Sequence, residues 1–181
     1  SRGLGDVYKR QKDFYYLDLY REFMGLVKEY DISPAGLKLE ITESAVIMDV
    51  PKQAALIEKL QAEGFVVEMD DFGSGYSSLN TLKDIPVDIL KLDMKFMEKS
   101  KNTKRSADIV QMVVAMADKL GMPVIAEGVE TKEQADFLGR IGCDIIQGYY
   151  YAKPMSMEEF EQLLNKYPYR DIVQKGIGND I

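Results

Sequence analysis

The chain has 181 residues, of which 46% are hydrophobic, and this size and composition predict one globular domain with a single core. Its 30 acidic residues exceed its 23 basic residues, and the net charge of -7 argues against a protein that binds duplex DNA or an anionic membrane by electrostatic attraction. With no histidine and one cysteine, the sequence excludes Ser-His and Cys-His catalytic pairs, histidine-based zinc sites and an intramolecular disulfide.

The termini and the longest apolar run carry no targeting signal. The run IVQMVVAMA is closed by Asp118 and Lys119, well short of the roughly 20 residues that span a bilayer. We therefore expect a cytoplasmic chain with no membrane segment, although its parent protein could carry an anchor upstream. Residues 1–11, SRGLGDVYKRQ, have no strand or helix period, and we expect this segment to be non-native or disordered.

Hydrophobic periodicity predicts helices that alternate with short strands. Asp31 and Pro34 end the first helix, Asp49 and Pro51 mark the start of the second, and Ser156 marks the start of the last. In chain order we predict a helix over 14–30, the strand GLKLEI, a helix over 49–64, the strand FVVEM, the strand VDILKLD, a helix over about 106–120, the strand PVIAE, a helix over 132–138, the strand CDIIQGYYY and the helix MEEFEQLLNKY.

Polar side chains recur at or near the carboxyl ends of these strands. They are Glu40, Asp70, Lys91, Glu127 and Gln147, each on a different strand. Strands alternating with helices predict a parallel sheet, and a (β/α)₈-type barrel collects such residues on one face. A doubly wound sheet also places ligands at strand carboxyl ends, but it would gather so many strands around one site less easily.

The adjacent carboxylates of Asp70 and Asp71 are the most informative pair in the chain. They follow an apolar strand and precede a loop rich in glycine and serine. Carboxylate oxygens are the ligands that Mg²⁺ and Mn²⁺ prefer, so the pair predicts metal-assisted chemistry.

Four separated motifs resemble the EAL domain family of cyclic di-GMP phosphodiesterases. They are LKLEITES, MDDFGSGYSSLNTLKDIPVDILKLD, VIAEGVET and QGYYYAKPM, and the resemblance extends from Phe14 to about Tyr167. It implies a modified (β/α)₈ TIM-like α/β barrel that is incomplete at its N-terminal side. On this interpretation residues 12–167 are the C-terminal two-thirds of the domain and 168–181 are a tail. The family's Glu-Ala-Leu signature and its metal-binding asparagine do not occur in the expected places.

The resemblance also implies a role for each strand-end residue. Lys91 would contact the attacking water, and Gln147 would contact water or substrate. The implied ligands of a two-metal Mg²⁺ or Mn²⁺ site, incomplete in this chain, are Glu40, Asp70, Asp71 and Glu127. The implied supporting residues are Glu43, Asp93, Glu130, Gly73 and Ser74.

Structural alternatives to these roles stay open from the sequence. Glu40 could be a solvated strand-end carboxylate and Glu43 a carboxylate at a helix start. Asp70 and Asp71 could cap a turn. Lys91 could belong to a barrel-filling Lys-Asp ion pair, and Gln147 could be buried and satisfied by backbone groups.

The implied function of the intact parent is hydrolysis of cyclic di-GMP to linear pGpG in bacterial signalling, with this fragment weak or inactive. The parent would be a homodimer with attached sensor or GGDEF domains, and it would not bind DNA. The competing hypothesis is a non-catalytic EAL domain that binds cyclic di-GMP or a protein partner. An unrelated metal-dependent barrel lyase or isomerase is the third alternative.

We predict that the purified 181-residue chain hydrolyses cyclic di-GMP only weakly with Mg²⁺ or Mn²⁺, because part of the implied ligand set is missing from its sequence. Product formation should be followed by chromatography, with a complete EAL domain as the positive control. Robust turnover by the chain would show that the N-terminal ligands are dispensable.

Overall fold

The computed structural model describes residues 18–73, 79–94, 103–143 and 145–166. The predicted disorder of residues 1–11, the predicted role of Ser74 and the tail after residue 167 lie outside these ranges. The described helices are α1 (Leu19–Glu29), α2 (Glu43–Ile47), α3 (Val50–Ala62), α4 (Leu79–Asp84), α5 (Thr103–Lys119), α6 (Lys132–Arg140) and α7 (Met157–Lys166). The strands are β1 (Lys38–Thr42), β2 (Val66–Phe72), β3 (Ile89–Asp93), β4 (Val124–Glu127) and β5 (Ile145–Ile146).

The strands follow one another through a five-stranded sheet in the order β1-β2-β3-β4-β5. The pairs β3–β4 and β4–β5 are parallel, as βα alternation requires. In a doubly wound sheet the strand order reverses at a switch point, whereas here each strand follows its predecessor in one direction. The chain is therefore α/β with the sequential order of an incomplete barrel, as predicted.

The described residues form two compact units. The first contains residues 18–69 and 79–88, and the second contains residues 70–73, 89–94, 103–143 and 145–166. Buried aliphatic side chains from strands and helices fill each of them, with Val67 and Met69 fully buried in the first and Leu90 and Ala126 in the second. None of the described helices is long and apolar enough to cross a membrane.

Local capping explains where several helices begin. The Asp49 side chain accepts a hydrogen bond from the Lys52 backbone N–H, and proline follows within the first turn of α3. Thr131 and Gln134 form a reciprocal capping box at α6. Ser156 and Glu159 exchange equivalent bonds at the start of α7, so the predicted role of Ser156 is confirmed.

Aromatic and charged side chains join α1 to α3 within the first unit. The Tyr20 hydroxyl donates to Glu63 Oε1 at 2.6 Å, and this bond is the main cause of a raised Tyr20 pKa. Lys59 Nζ lies 3.5 Å from the centre of the Tyr20 ring, in a cation–π contact. Phe23 packs against Phe65 with ring centres 6.2 Å apart. These contacts hold α1 in position through the face that the sequence predicts to be apolar.

Three strands end at a different residue from the one predicted. β1 extends one residue beyond the predicted GLKLEI, to Thr42, and Ile41 is buried in it. β2 includes Asp70 and Asp71 instead of ending before them. The β5 ladder is only two residues long, because the chain turns directly after Gln147, with the Tyr151 N–H bonded to the Gly148 carbonyl.

The sequence analysis also missed two short helices, α2 and α4. Each is six residues or fewer, which is too short for helical periodicity to be recognised. Helix α5 starts three residues before the predicted Ser106, which is itself buried. Cys143 is half-buried, and its thiol donates to the Val124 and Ile145 carbonyls at 3.6 and 3.4 Å.

A buried carboxylate on β2 depends on one lysine. Glu68 is 3% exposed, and its Oε1 lies 2.9 Å from Nζ of Lys38, which is 52% exposed. The two groups form an ion pair but are not aligned for a hydrogen bond. That oxygen has no hydrogen-bond partner among the described residues. Because a buried charge without its counter-ion is costly, Lys38 should stabilise the first unit.

We predict that Lys38→Met lowers the free energy of unfolding by about 1–3 kcal/mol, because the Glu68 carboxylate stays buried without a nearby cation. Urea denaturation followed by circular dichroism measures the change. The matched control is Lys83→Met, since the Lys83–Asp84 pair has side chains 73% and 50% exposed and should contribute within about 0.5 kcal/mol. Equal effects of the two substitutions would contradict this role of Lys38.

Candidate active site

Three neighbouring strands bring opposite charges together in the second unit. Lys91 Nζ on β3 lies 3.0 Å from Glu127 Oε1 at the end of β4 and 3.4 Å from Asp70 Oδ1 on β2. The parallel register pairs Lys91 with Ile125 and Asp93 with Glu127, so Glu127 is two residues beyond the partner of Lys91 and on the same face. Three of the strand-end residues predicted from sequence are thus in direct contact.

Burial makes this cluster sensitive to charge. The Lys91 side chain is 7% exposed, and the side chains of Asp70 and Glu127 are 22% and 24% exposed. Removing an ammonium from water costs several kcal/mol unless opposite charges replace its solvation. The two carboxylates that contact Lys91 provide that replacement. Because both carboxylates are partly exposed, a cation or a ligand can approach them from solvent.

The backbone at the end of β2 departs from the usual strand conformation. The Asp71 N–H donates to Asp70 Oδ1 at 2.9 Å, and Asp71 adopts a φ of 58°, followed by Gly73 at 93°. A non-glycine residue in the left-handed region costs about 1–2 kcal/mol, although aspartate tolerates it better than most residues. Asp71 is exposed, whereas Asp70 is half-buried. Gly73 has the left-handed conformation that glycine adopts readily, and its supporting role stays a prediction.

The segment after Glu127 is also shaped by the backbone. Gly128 has a φ of 74°, and a Cβ built on it would lie 3.6 Å from Asp93 Oδ1. The backbone N–H groups of Glu130 and Thr131 both donate to Gln134 Oε1, at 2.8 and 3.0 Å. Asp93 is half-buried and Glu130 is exposed. Their supporting roles stay predictions.

Gln147 lies directly after β5, with its main chain held on both sides. Its N–H donates to the Ala126 carbonyl at 2.8 Å, and its carbonyl accepts from the Val129 N–H at 3.1 Å. The residue is exposed, so the alternative of a buried glutamine is wrong. Its side chain is accessible at the carboxyl end of β5.

The remaining predicted residues belong to the first unit. Glu40 is exposed on β1, and its assignment as a metal ligand stays a prediction. Glu43 is the first residue of α2, as its structural alternative supposed, yet it is 4% exposed and hence much more buried than an ordinary helix-start carboxylate.

The donor chemistry of the second-unit cluster fits a hard divalent cation. Asp70 and Glu127 both contact the Lys91 ammonium and remain partly exposed, and carboxylate oxygens suit Mg²⁺ or Mn²⁺. No group of three acidic or cysteine side chains within the described ranges is arranged to hold a metal ion. The assignment of these acids as metal ligands stays a prediction.

Sequence analysis treated Gly148 only as one letter of a motif and did not single out Val129. A Cβ on Gly148 would overlap the backbone of Val129, whose side chain is fully buried. The one available signal was a glycine beside a polar strand-end residue, which is compatible with close backbone approach.

Comparison with known proteins is consistent with these motifs. A sequence model of the EAL domain matches residues 10–154. The cyclic di-GMP phosphodiesterase NbdA of Pseudomonas aeruginosa is 36% identical over 149 residues, which are 82% of this chain and 19% of NbdA. RocR, a cyclic di-GMP phosphodiesterase of the same organism, is 38% identical over 142 residues, 78% of this chain and 36% of RocR. The chain thus spans about a fifth to a third of these relatives.

Solved structures show the same fold. The PaMucR phosphodiesterase in complex with cyclic di-GMP matches with a TM-score of 0.77 and 35% identity, over 84% of this chain and 62% of that one. A manganese and cyclic di-GMP complex of Klebsiella pneumoniae BlrP1 matches with a TM-score of 0.72 and 29% identity, over 80% of this chain and 37% of that one. On the extent of the sequence match and the shared fold, the chain belongs to the EAL domain family.

Proposed function

We propose that this chain is the larger part of a domain that hydrolyses cyclic di-GMP to linear pGpG with Mg²⁺ or Mn²⁺. The observation that carries the proposal is the contact of the buried Lys91 ammonium with both Asp70 and Glu127. The relatives named as cyclic di-GMP phosphodiesterases and the manganese-containing neighbour support it.

Asp70, Asp71 and Glu127 of the second unit would hold the cation. A bound divalent ion of this kind polarises a phosphodiester oxygen and lowers the pKa of a coordinated water. An acidic chain with a net charge of -7 would otherwise repel a cyclic dinucleotide, so the carboxylates need a cation before an anionic substrate can bind.

Lys91 would act on the water and the developing charge rather than on the cation. The Lys91 ammonium contacts two carboxylates, and an ammonium can donate a hydrogen bond but cannot accept a proton. We therefore assign Lys91 the orientation of the attacking water and the stabilisation of negative charge on the phosphoryl oxygens. Gln147, accessible at the end of β5, would orient water or substrate through its amide.

We further propose that the intact protein works in the bacterial cytoplasm as a homodimer with attached sensor or GGDEF domains. A second candidate function is a non-catalytic domain that binds cyclic di-GMP or a protein partner. It is favoured by one observation, that no group of three acidic or cysteine side chains within the described residues is arranged to hold a metal ion. Measurable turnover after addition of the N-terminal segment separates the two candidates.

We predict that Lys91→Ala, in a domain completed with its N-terminal segment, lowers the single-turnover rate by about 10²–10⁴ while Mn²⁺ affinity changes little. Asp70→Ala should lose both rate and Mn²⁺ affinity, because the carboxylate itself would contact the ion. Rapid-quench kinetics and Mn²⁺ titration by electron paramagnetic resonance measure the two quantities.

The matched control is Lys132→Ala. Lys132 forms an exposed ion pair with Asp136 at 2.8 Å, with side chains 60% and 51% exposed, so its loss should leave both quantities unchanged. A near-normal rate for Lys91→Ala would restrict Lys91 to a structural ion pair and refute the assigned step.

A further inference from the structure

Backbone hydrogen bonds join the segments that follow β4 and β5. The Val129 N–H donates to the Gln147 carbonyl at 3.1 Å, and the Tyr150 N–H donates to the Val129 carbonyl at 3.0 Å. The backbone N–H and carbonyl of Val129 are therefore both hydrogen-bonded to the turn that contains Gly148. The β4–β5 ladder pairs Ile125 with Ile145 and Ala126 with Ile146, so these bonds extend the contact beyond the strands.

Gly148 allows this approach because it has no side chain. A Cβ at this position would overlap the nitrogen, carbonyl carbon and oxygen of Val129. These are backbone atoms, which cannot move aside as a flexible side chain can. Any larger residue at 148 must therefore separate the two segments and break the bonds on either side of Val129.

Val129 itself has little freedom to retreat. Its side chain is fully buried, and two residues later Thr131 begins α6 with a capping box. On its other side, Gly128 in the left-handed conformation connects it to Glu127. A displacement of Val129 would therefore be transmitted to Glu127, and a displacement of residue 148 would be transmitted to Gln147.

We propose that Val129 and Gly148 are a positioning pair, which sets the spacing between Glu127 and Gln147 at the site. This rests on the proposed function, since those two residues were assigned there to the cation and to the substrate. Neither member of the pair touches the reacting atoms. The two segments are positioned by close contact between their backbones. Glycine is required at 148 because there is no space for a Cβ, and not because its φ is positive.

The test uses Gly148→Ala in this chain, with Gly139→Ala as the matched control. A Cβ at Gly139 meets nothing within 4 Å, and the residue lies in helix α6 of the same unit. Mn²⁺ affinity should be measured by electron paramagnetic resonance, and cyclic di-GMP affinity by calorimetry in excess Mn²⁺. We expect Gly148→Ala to weaken both by about tenfold or more and Gly139→Ala to change neither.

Coupling to Gln147 separates positioning from a general loss of stability. In a Gln147→Ala background, the effect of Gly148→Ala on cyclic di-GMP affinity should shrink, because the group it positions has been removed. An undiminished effect would overturn the proposal, as would unchanged affinities in a folded Gly148→Ala protein.

Amide hydrogen exchange keeps the proposal testable if Gly148→Ala does not fold or if the wild-type chain binds neither probe. In the wild-type protein we expect the Val129 and Tyr150 amides to exchange as slowly as the β4 amides. Exchange as fast as an open loop would refute the positioning pair. A wild-type chain that lacks affinity for cyclic di-GMP but protects these amides would instead count against the proposed function alone.

Discussion

The burial of one ammonium group constrains the centre of the second unit. Lys91 is 7% exposed on β3, and no ordinary packing of apolar side chains could offset the loss of its hydration. The flanking strands must therefore present acids at matching heights, which Asp70 and Glu127 do. The register of the sheet therefore determines which acids can compensate for the buried charge of Lys91.

Glycine and left-handed backbone conformations complete that arrangement. Asp71, near the end of β2, and Gly128, directly after β4, have positive φ angles, and each follows an acid that contacts Lys91. Gly73, the first residue after β2, also has a positive φ. Gly148 differs from these glycines, since its position is fixed by the nearness of the Val129 backbone.

The ion pairs of the two units differ in how exposed their acidic side chains are. The ion pairs of Lys91 compensate for the burial of a lysine, whereas the Lys38–Glu68 pair in the first unit compensates for the burial of a carboxylate. A cation can reach partly exposed carboxylates from solvent. A buried carboxylate such as Glu68 can be reached by its ion-pair partner but not by a ligand. Exposure of the acid therefore distinguishes a site that can accept ligands from a structural ion pair.

The sequence by itself determined the alternation of elements, the sequential α/β architecture and the set of strand-end residues. These features depend on local periodicity, capping residues such as Asp49 and Ser156, and the fixed position of a residue at the end of an apolar run. The family resemblance came from motifs that are contiguous in the chain. Short helices and the true ends of β1 and β5 were missed, because segments of a few residues carry too little periodic signal.

Only the tertiary structure decided which acids contact Lys91, how exposed Gln147 is, and why residue 148 must be glycine. Each of these depends on distances between segments that are remote in sequence. Lys91 and Glu127 are brought together by the β3–β4 register, and Val129 approaches Gly148 through bonds that extend the β4–β5 pairing. A linear pattern can name the residues at the ends of strands, but the heights at which neighbouring strands pair determine whether those residues meet.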